Sequence, residues 1–172
     1  IYIEKEPEIY VILKTFFNRM GNTFSRENII IEEENGKIRG LIISHPVGDL
    51  NKLIINELKC IKEMNSDLFT FLKTLFKMFF RLKVAIYYPR LKKNELFICN
   101  LAVFKEYRGK GIASKLLKKT EEIAITKGLN NLSLYVEIDN DIAIKLYKKY
   151  GFQEVKKAVF PKCYNEHYLF GF

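Results

Sequence analysis

Residues 95–114 read ELFICNLAVFKEYRGKGIAS, and the change of character within them decides the fold. As far as Val103 the stretch is apolar and suits a strand, and residues 110–127 then carry helical spacing as far as Gly128. Between the two lies a tight loop with Gly109 and Gly111. A helix that begins there turns free backbone amides and the positive end of its dipole into the loop, which makes an anion site. The two glycines lack a Cβ, so a phosphate group can approach the main chain, and Arg108 and Lys110 add positive charge. A pyrophosphate is the ligand that suits this arrangement.

Outward from this segment, residues 131–137 (NLSLYVE) predict a second strand and residues 141–149 a helix ending at Tyr150-Gly151. A strand from Phe152 and a last one near Tyr164 to Phe170 follow as a closing hairpin. A strand, a helix and a strand in succession demand parallel neighbours. In the front half, Ile1 to Glu4 predict at most a short strand. Pro7 opens a helix carried by Ile9, Ile12, Leu13, Phe16 and Met20 and stopped by Gly21. Residues 28–34 and 37–44 form an antiparallel pair through Asn35-Gly36, with Pro46 closing the second strand. Helical spacing returns from Leu53 to about Leu82, in two pieces divided at Asn65-Ser66-Asp67. The fold class is therefore α/β in the α+β sense: a mixed, mostly antiparallel central sheet with helices on both faces.

The chain has 172 residues, enough for one domain spanning 1–172, and 48% of them are hydrophobic, enough for a packed core. Its 29 Lys and Arg against 20 Asp and Glu give a formal charge of +9, which favours a polyanionic ligand. Nucleic acid is not expected, because no helix-turn-helix, zinc or RNA-binding signature accompanies the charge. Cys60, Cys99 and Cys163 form neither a disulfide framework nor a CxxC pair, so no metal is expected and the setting reads as reducing and cytoplasmic. Lys73, Lys77, Arg81 and Lys83 interrupt the apolar run from Leu68 to Tyr88, so no transmembrane segment is expected. No secretory leader is visible, and a start on Ile1 fits a processed or trimmed chain.

Two readings of the glycine loop compete at this point. Gly109-x-Gly111-x-x-Ser114 approaches the dinucleotide fingerprint GxGxxG, with Glu137 as the ribose acid. Against it, the third position is Ser, the motif lies beyond mid-chain, and Glu137 falls later than the usual ~20 residues.

A second segment, Asn140-x-x-Ala143-x-x-Leu146-Tyr147-x-x-x-Gly151-Phe152, follows the crossover. With Arg108-x-x-Gly111-x-Ala113, it closely resembles the two signatures of the GNAT superfamily of N-acetyltransferases over residues 95–155. The resemblance implies transfer of an acetyl group from acetyl-CoA to a small-molecule or peptide amine, and leaves a homodimer open. It assigns Arg108, Gly109, Lys110, Gly111, Ile112, Ala113 and Ser114 to the CoA pyrophosphate. It assigns Leu101, Ala102 and Val103 to main-chain pairing with pantetheine and to an amide aimed at the thioester oxygen. Asn140 would flank the pantetheine arm, and Tyr147 would protonate the departing thiolate. Each also has a structural reading: Asn140 as a helix N-cap, and Tyr147 as packing on the helix's inner face.

An alkyl ammonium, with a pKa near ~10, must lose a proton before attacking the thioester, so a base is required. Glu95, Glu137, His45 and His167 are the candidates, and the sequence does not choose among them. Residues 49–94 stand apart from the family plan as a helical insertion. Its basic stripe of Lys73, Lys77 and Arg81 fits either a solvated helix face or a lid over the acceptor.

Overall fold

The computed structural model describes residues 7–64, 90–158 and 167–171. The first described element is α1 (Pro7–Asn18), and Gly21, at φ +79°, turns the chain away from the helix as the glycine stop predicts. Strands β1 (Ile29–Glu34) and β2 (Lys37–Pro46) form a hairpin across Asn35-Gly36. Both turn residues are left-handed, φ 51° and 74°, which is the two-residue turn whose twist matches that of its strands. Helix α2 (Leu50–Met64) fills the first part of the predicted insertion; the second helical piece and its basic stripe lie outside the described residues. So does the short strand predicted at the N-terminus.

Strand β3 (Glu95–Val103), helix α3 (Ile112–Thr126) and strand β4 (Asn131–Glu137) make the predicted crossover, and β3 and β4 are parallel. Helix α4 (Asp141–Tyr150) and the antiparallel strands β5 (Gln153–Ala158) and β6 (His167–Gly171) complete the chain. Among the described residues the sheet has six strands in the order β1-β2-β3-β4-β6-β5, with every pair antiparallel except β3 with β4. The doubly wound parallel sheet that a dinucleotide fingerprint requires is therefore not the one formed.

One face of the sheet carries Ile42, Leu96, Ile98, Leu132, Leu134, Val136 and Phe170 against Ile112, Leu116 and Leu117 of α3 and Tyr147 of α4. Leu116, Leu117, Leu132 and Leu134 are at most 1% exposed, and burial of each contributes about 1.5–3 kcal/mol. The opposite face carries His45, Phe97 and Tyr135 in edge-to-face contact. Helix α2 lies on this side, where Glu57 acts electrostatically on both His45 and Cys99.

Strands β3 and β4 pair only from Glu95–Asn131 to Ile98–Leu134, although β3 runs on to Val103 and β4 to Glu137. The register of β3 on β2 shows why. Ser44 faces Ile98 and Ile43 faces Asn100, so Cys99 is an extra residue without a partner. Such a bulge bends and twists its strand, and here it turns β3 away from β4 at the position where their pairing ends.

On β1, Glu32 is buried, with only 3% of its side chain exposed, yet it is ionised. Lys115 and Lys119 of α3 and Arg39 of β2 bond its carboxylate at 2.5, 3.0 and 3.0 Å. Their hydrogen bonds lower its pKa from the ordinary 4.5 to about 2, Lys115 most strongly. A depressed folded-state pKa means that the unfolded chain takes up the proton first. The stability Glu32 contributes is thus present above about 4.5 and is lost as pH falls toward about 2. In acid titrations followed by circular dichroism, Glu32→Gln should be less stable than wild type at neutral pH. The gap between the two should shrink across that window, and a constant gap would show that Glu32 does not titrate as described.

Candidate active site

Where β3 parts from β4, a cleft of about 700 Å³ opens between the end of β3, the loop that follows, the first turn of α3, and α4. It is lined by Leu101, Ala102, Val103, Arg108, Gly109, Gly111, Ile112, Ala113, Ser114, Asn140 and Tyr147, so the two sequence segments form one site. Lys110 is the one residue of the predicted set that does not line it. Its ammonium instead sits over the ring of Tyr107, 5.5 Å from the centroid. Tyr107, Ile142 and Lys149 also line the cleft, and the sequence motifs do not include them. Ile142, Leu146 and Lys149 follow one another at helical spacing along α4, which is the signal that would have found two of them.

The loop ends where it does because of its glycines. Gly109 and Gly111 sit at φ +76° and +77°, left-handed values that residues with a Cβ rarely adopt. Gly111 is the N-cap, so α3 starts at Ile112 and not at the predicted 110. Lys115 N–H is bonded to the Gly111 carbonyl at 3.0 Å, which leaves the amides of Ile112, Ala113 and Ser114 without a helical acceptor. A Cβ built on either glycine would meet nothing within 4 Å, so the space above this main chain is open to a ligand. Three amides, a helix dipole and an open approach suit a diphosphate.

The strand end offers a second set of main-chain groups. Phe104 N–H donates to the Arg39 carbonyl at 3.0 Å. Because bonded and non-bonded pairs alternate along an antiparallel ladder, Ala102 also turns its amide to β2, whereas Leu101 and Val103 turn theirs to the open side. Arg108 already uses this edge, its Nε donating to the Val103 carbonyl at 3.2 Å.

Asn140 is the N-cap of α4, and its Oδ1 accepts from Ala143 N–H at 3.1 Å. Tyr147 is 8% exposed, its ring packed edge-on against Phe152 at 5.6 Å and tilted against Phe170 at 6.4 Å. Burial raises its pKa to about 12, so it is protonated at neutral pH. The two helices that flank the cleft are tied together by the Tyr150 hydroxyl, which donates to Glu121 at 2.8 Å.

Among the described side chains, Glu95, Glu137 and His45 do not line the cleft. Glu95 lies at the paired end of β3, where it accepts from Lys92 N–H at 3.3 Å and borders a different cavity. His45 is 2% exposed, with Nδ1 3.1 Å from the Pro46 carbonyl, and burial lowers its pKa so that it stays neutral. Glu137 is exposed at the end of β4, and the side chain of His167 lies outside what the structure describes. Among the described residues, no group of three His, Cys, Asp or Glu side chains is placed to hold a metal ion. None of the described helices is long and apolar enough to cross a membrane.

The match to the acetyltransferase (GNAT) family spans residues 3–152 and takes in every residue of the cleft, so the chain belongs to that family. Among curated relatives, the bovine (Bos taurus) thialysine N-epsilon-acetyltransferase is 38% identical over 77 residues, 45% of this chain and 45% of that enzyme. The chain thus spans about half the length of the curated relatives it matches. A crystal structure described as an acetyltransferase superposes with a TM-score of 0.70 at 20% identity, over 96% of this chain and 80% of the other. An acetyltransferase from Bacillus anthracis str. Ames, crystallised with acetyl coenzyme A, superposes with a TM-score of 0.54 at 17% identity, over 84% and 60% of the two chains.

If the loop main chain is the phosphate site, Gly111→Val should weaken CoA binding at least about tenfold, the value of one charge-assisted hydrogen bond. Lys110→Ala should weaken it less than about fivefold, since an exposed charge contributes under about 1 kcal/mol. Titration calorimetry with CoA checks both, and an unchanged affinity for the Val variant would remove the assignment.

Proposed function

We propose that the chain is an acetyl-CoA-dependent N-acetyltransferase that acetylates a primary amine. The observation that carries this reading is the continuity of the cleft. A free strand edge at Leu101 and Val103 leads to the bare N-terminus of α3, with Tyr147 across from them in the same space. An amide-bearing arm that ends in a diphosphate fits that sequence of donors. The arm pairs with the strand edge, and the diphosphate takes the amides of Ile112 to Ser114.

In the reaction, the neutral amine attacks the thioester carbon, the carbonyl oxygen gains charge, and the carbon–sulfur bond breaks with its electron pair leaving on sulfur. The free amide of Val103 serves as the oxyanion donor, fixed by the strand. Tyr147 serves the departing sulfur. Burial keeps its hydroxyl protonated at neutral pH, so it can donate to the thiolate as charge forms there. Its role is therefore to donate a hydrogen bond to the forming thiolate, and the net proton comes from the acceptor ammonium through solvent. The family resemblance implies a further step, transfer of the proton from Tyr147 itself, and the size of the Tyr147→Phe effect distinguishes the two. The free thiols Cys60 and Cys99 support a reducing, cytoplasmic setting.

Thiol release from acetyl-CoA, measured over polyamines, amino acids and peptide N-termini, tests the activity. CoA binding without release for any amine would make the chain a CoA-binding module instead. On the best acceptor, Tyr147→Phe should lower kcat by about ten- to a hundredfold, the worth of a hydrogen bond to a charged group, and leave the Kd for acetyl-CoA unchanged. A loss beyond about a thousandfold would restore full proton transfer, and wild-type turnover would remove Tyr147 from the mechanism.

A further inference from the structure

The loop from Phe104 to Ser114 is fastened at both ends to the β1–β2 hairpin. At its start, Phe104 N–H is held by the Arg39 carbonyl at 3.0 Å. Just past its end, Lys115 and Lys119 reach the carboxylate of Glu32 at 2.5 and 3.0 Å. The guanidinium of Arg39 meets the same carboxylate at 3.0 Å, so one buried anion is common to both ends. Gly40 lets the parts close. A Cβ there would lie 2.8 Å from the Ala102 carbonyl and 3.2 Å from Ile112 Cγ2, so the end of β3 and the first residue of α3 press directly on β2.

A buried carboxylate among cations contributes little that an apolar cluster of the same volume would not, although removing one partner is costly; its best-attested use is to impose one geometry. The geometry imposed here lies between the strand end at Val103 and the amides of Ile112 to Ser114. These are the two halves of the cleft that must be correctly spaced for one ligand to meet both. The network also draws Lys115, the residue next to the amides, toward the hairpin.

We propose that Glu32 is a positioning residue for the phosphate-binding loop, setting the spacing of its two ends and thereby the affinity for the diphosphate of acetyl-CoA. It touches no ligand and takes no part in the chemistry. The proposal rests on the reading of the cleft as an acetyl-CoA site, and CoA binding by the wild-type protein tests that reading separately.

Glu32→Gln keeps the size of the side chain and one acceptor oxygen but removes the charge that gathers three cations. The Kd for CoA and the KM for acetyl-CoA should rise about tenfold, as expected when a binding group is misplaced by a fraction of an ångström. The kcat at saturating acetyl-CoA and the KM for the amine should stay at wild-type values. Phe16→Leu, a core change in α1 far from the loop, is the control: it should lower Tm without moving either constant. If Glu32→Gln does not fold, Lys119→Met leaves Glu32 with two partners and should raise the Kd for CoA in the same direction, by about threefold. An unchanged Kd in the folded variant, or a fall in kcat with KM unchanged, would overturn the proposal. If wild type itself fails to bind CoA, the reading of the cleft falls and the proposal with it.

Discussion

The site depends on two neighbouring strands ceasing to pair. After Ile98 and Leu134 the ladder between β3 and β4 ends, because Cys99 bulges out of register with β2 and turns β3 aside. Backbone amides and carbonyls are obligatory hydrogen-bonding groups, so a parted pair of strands inside a sheet leaves donors and acceptors with a defined spacing and no protein partner. The amides of Leu101 and Val103 face the gap, while the Val103 carbonyl already accepts from Arg108. A ligand with its own amides can complete the ladder that β4 has abandoned, and the chain's direction then carries that ligand onto the N-terminus of α3.

Charge is distributed less obviously than a formal +9 suggests. The anion site is built from main-chain amides, and several nearby cations are engaged elsewhere. Lys110 stands over Tyr107, while Lys115 and Lys119 are bound to Glu32. Recognition by amides is short-ranged and geometric, whereas the net positive charge acts at long range to draw a polyanionic substrate toward the protein. The two effects are separable: surface lysines govern encounter, and the loop's backbone governs the bound state.

Much of the architecture was legible because local rules and tertiary structure agree. Strands 95–103 and 131–137 were predicted with the boundaries observed, and the Asn35-Gly36 turn followed from its dipeptide alone. Both halves of the cleft could be read because each is a contiguous segment, and the resemblance joined them. Features that depend on pairing were not legible. The Cys99 bulge is a register shift between two strands and leaves no local signature. Nothing in the run Ile29-Ile30-Ile31-Glu32-Glu33-Glu34 marks Glu32 as the buried carboxylate, since its partners Lys115 and Lys119 lie more than eighty residues away. Glu95 and His45 fall outside the cleft for the same reason. Glu95 lies on the correct strand but at its paired end, and His45 is shut into the core beside Phe97.

The central claim is that a parted strand edge and a bare helix terminus hold one ligand together. Residue-resolved amide hydrogen exchange, measured with and without CoA, tests it most directly. The account predicts slower exchange at Leu101, Val103, Ile112, Ala113 and Ser114 on addition of CoA, and no change at Ala102, whose amide is already committed to β2. Unchanged exchange at those five amides, with protection appearing elsewhere in the chain, would contradict it.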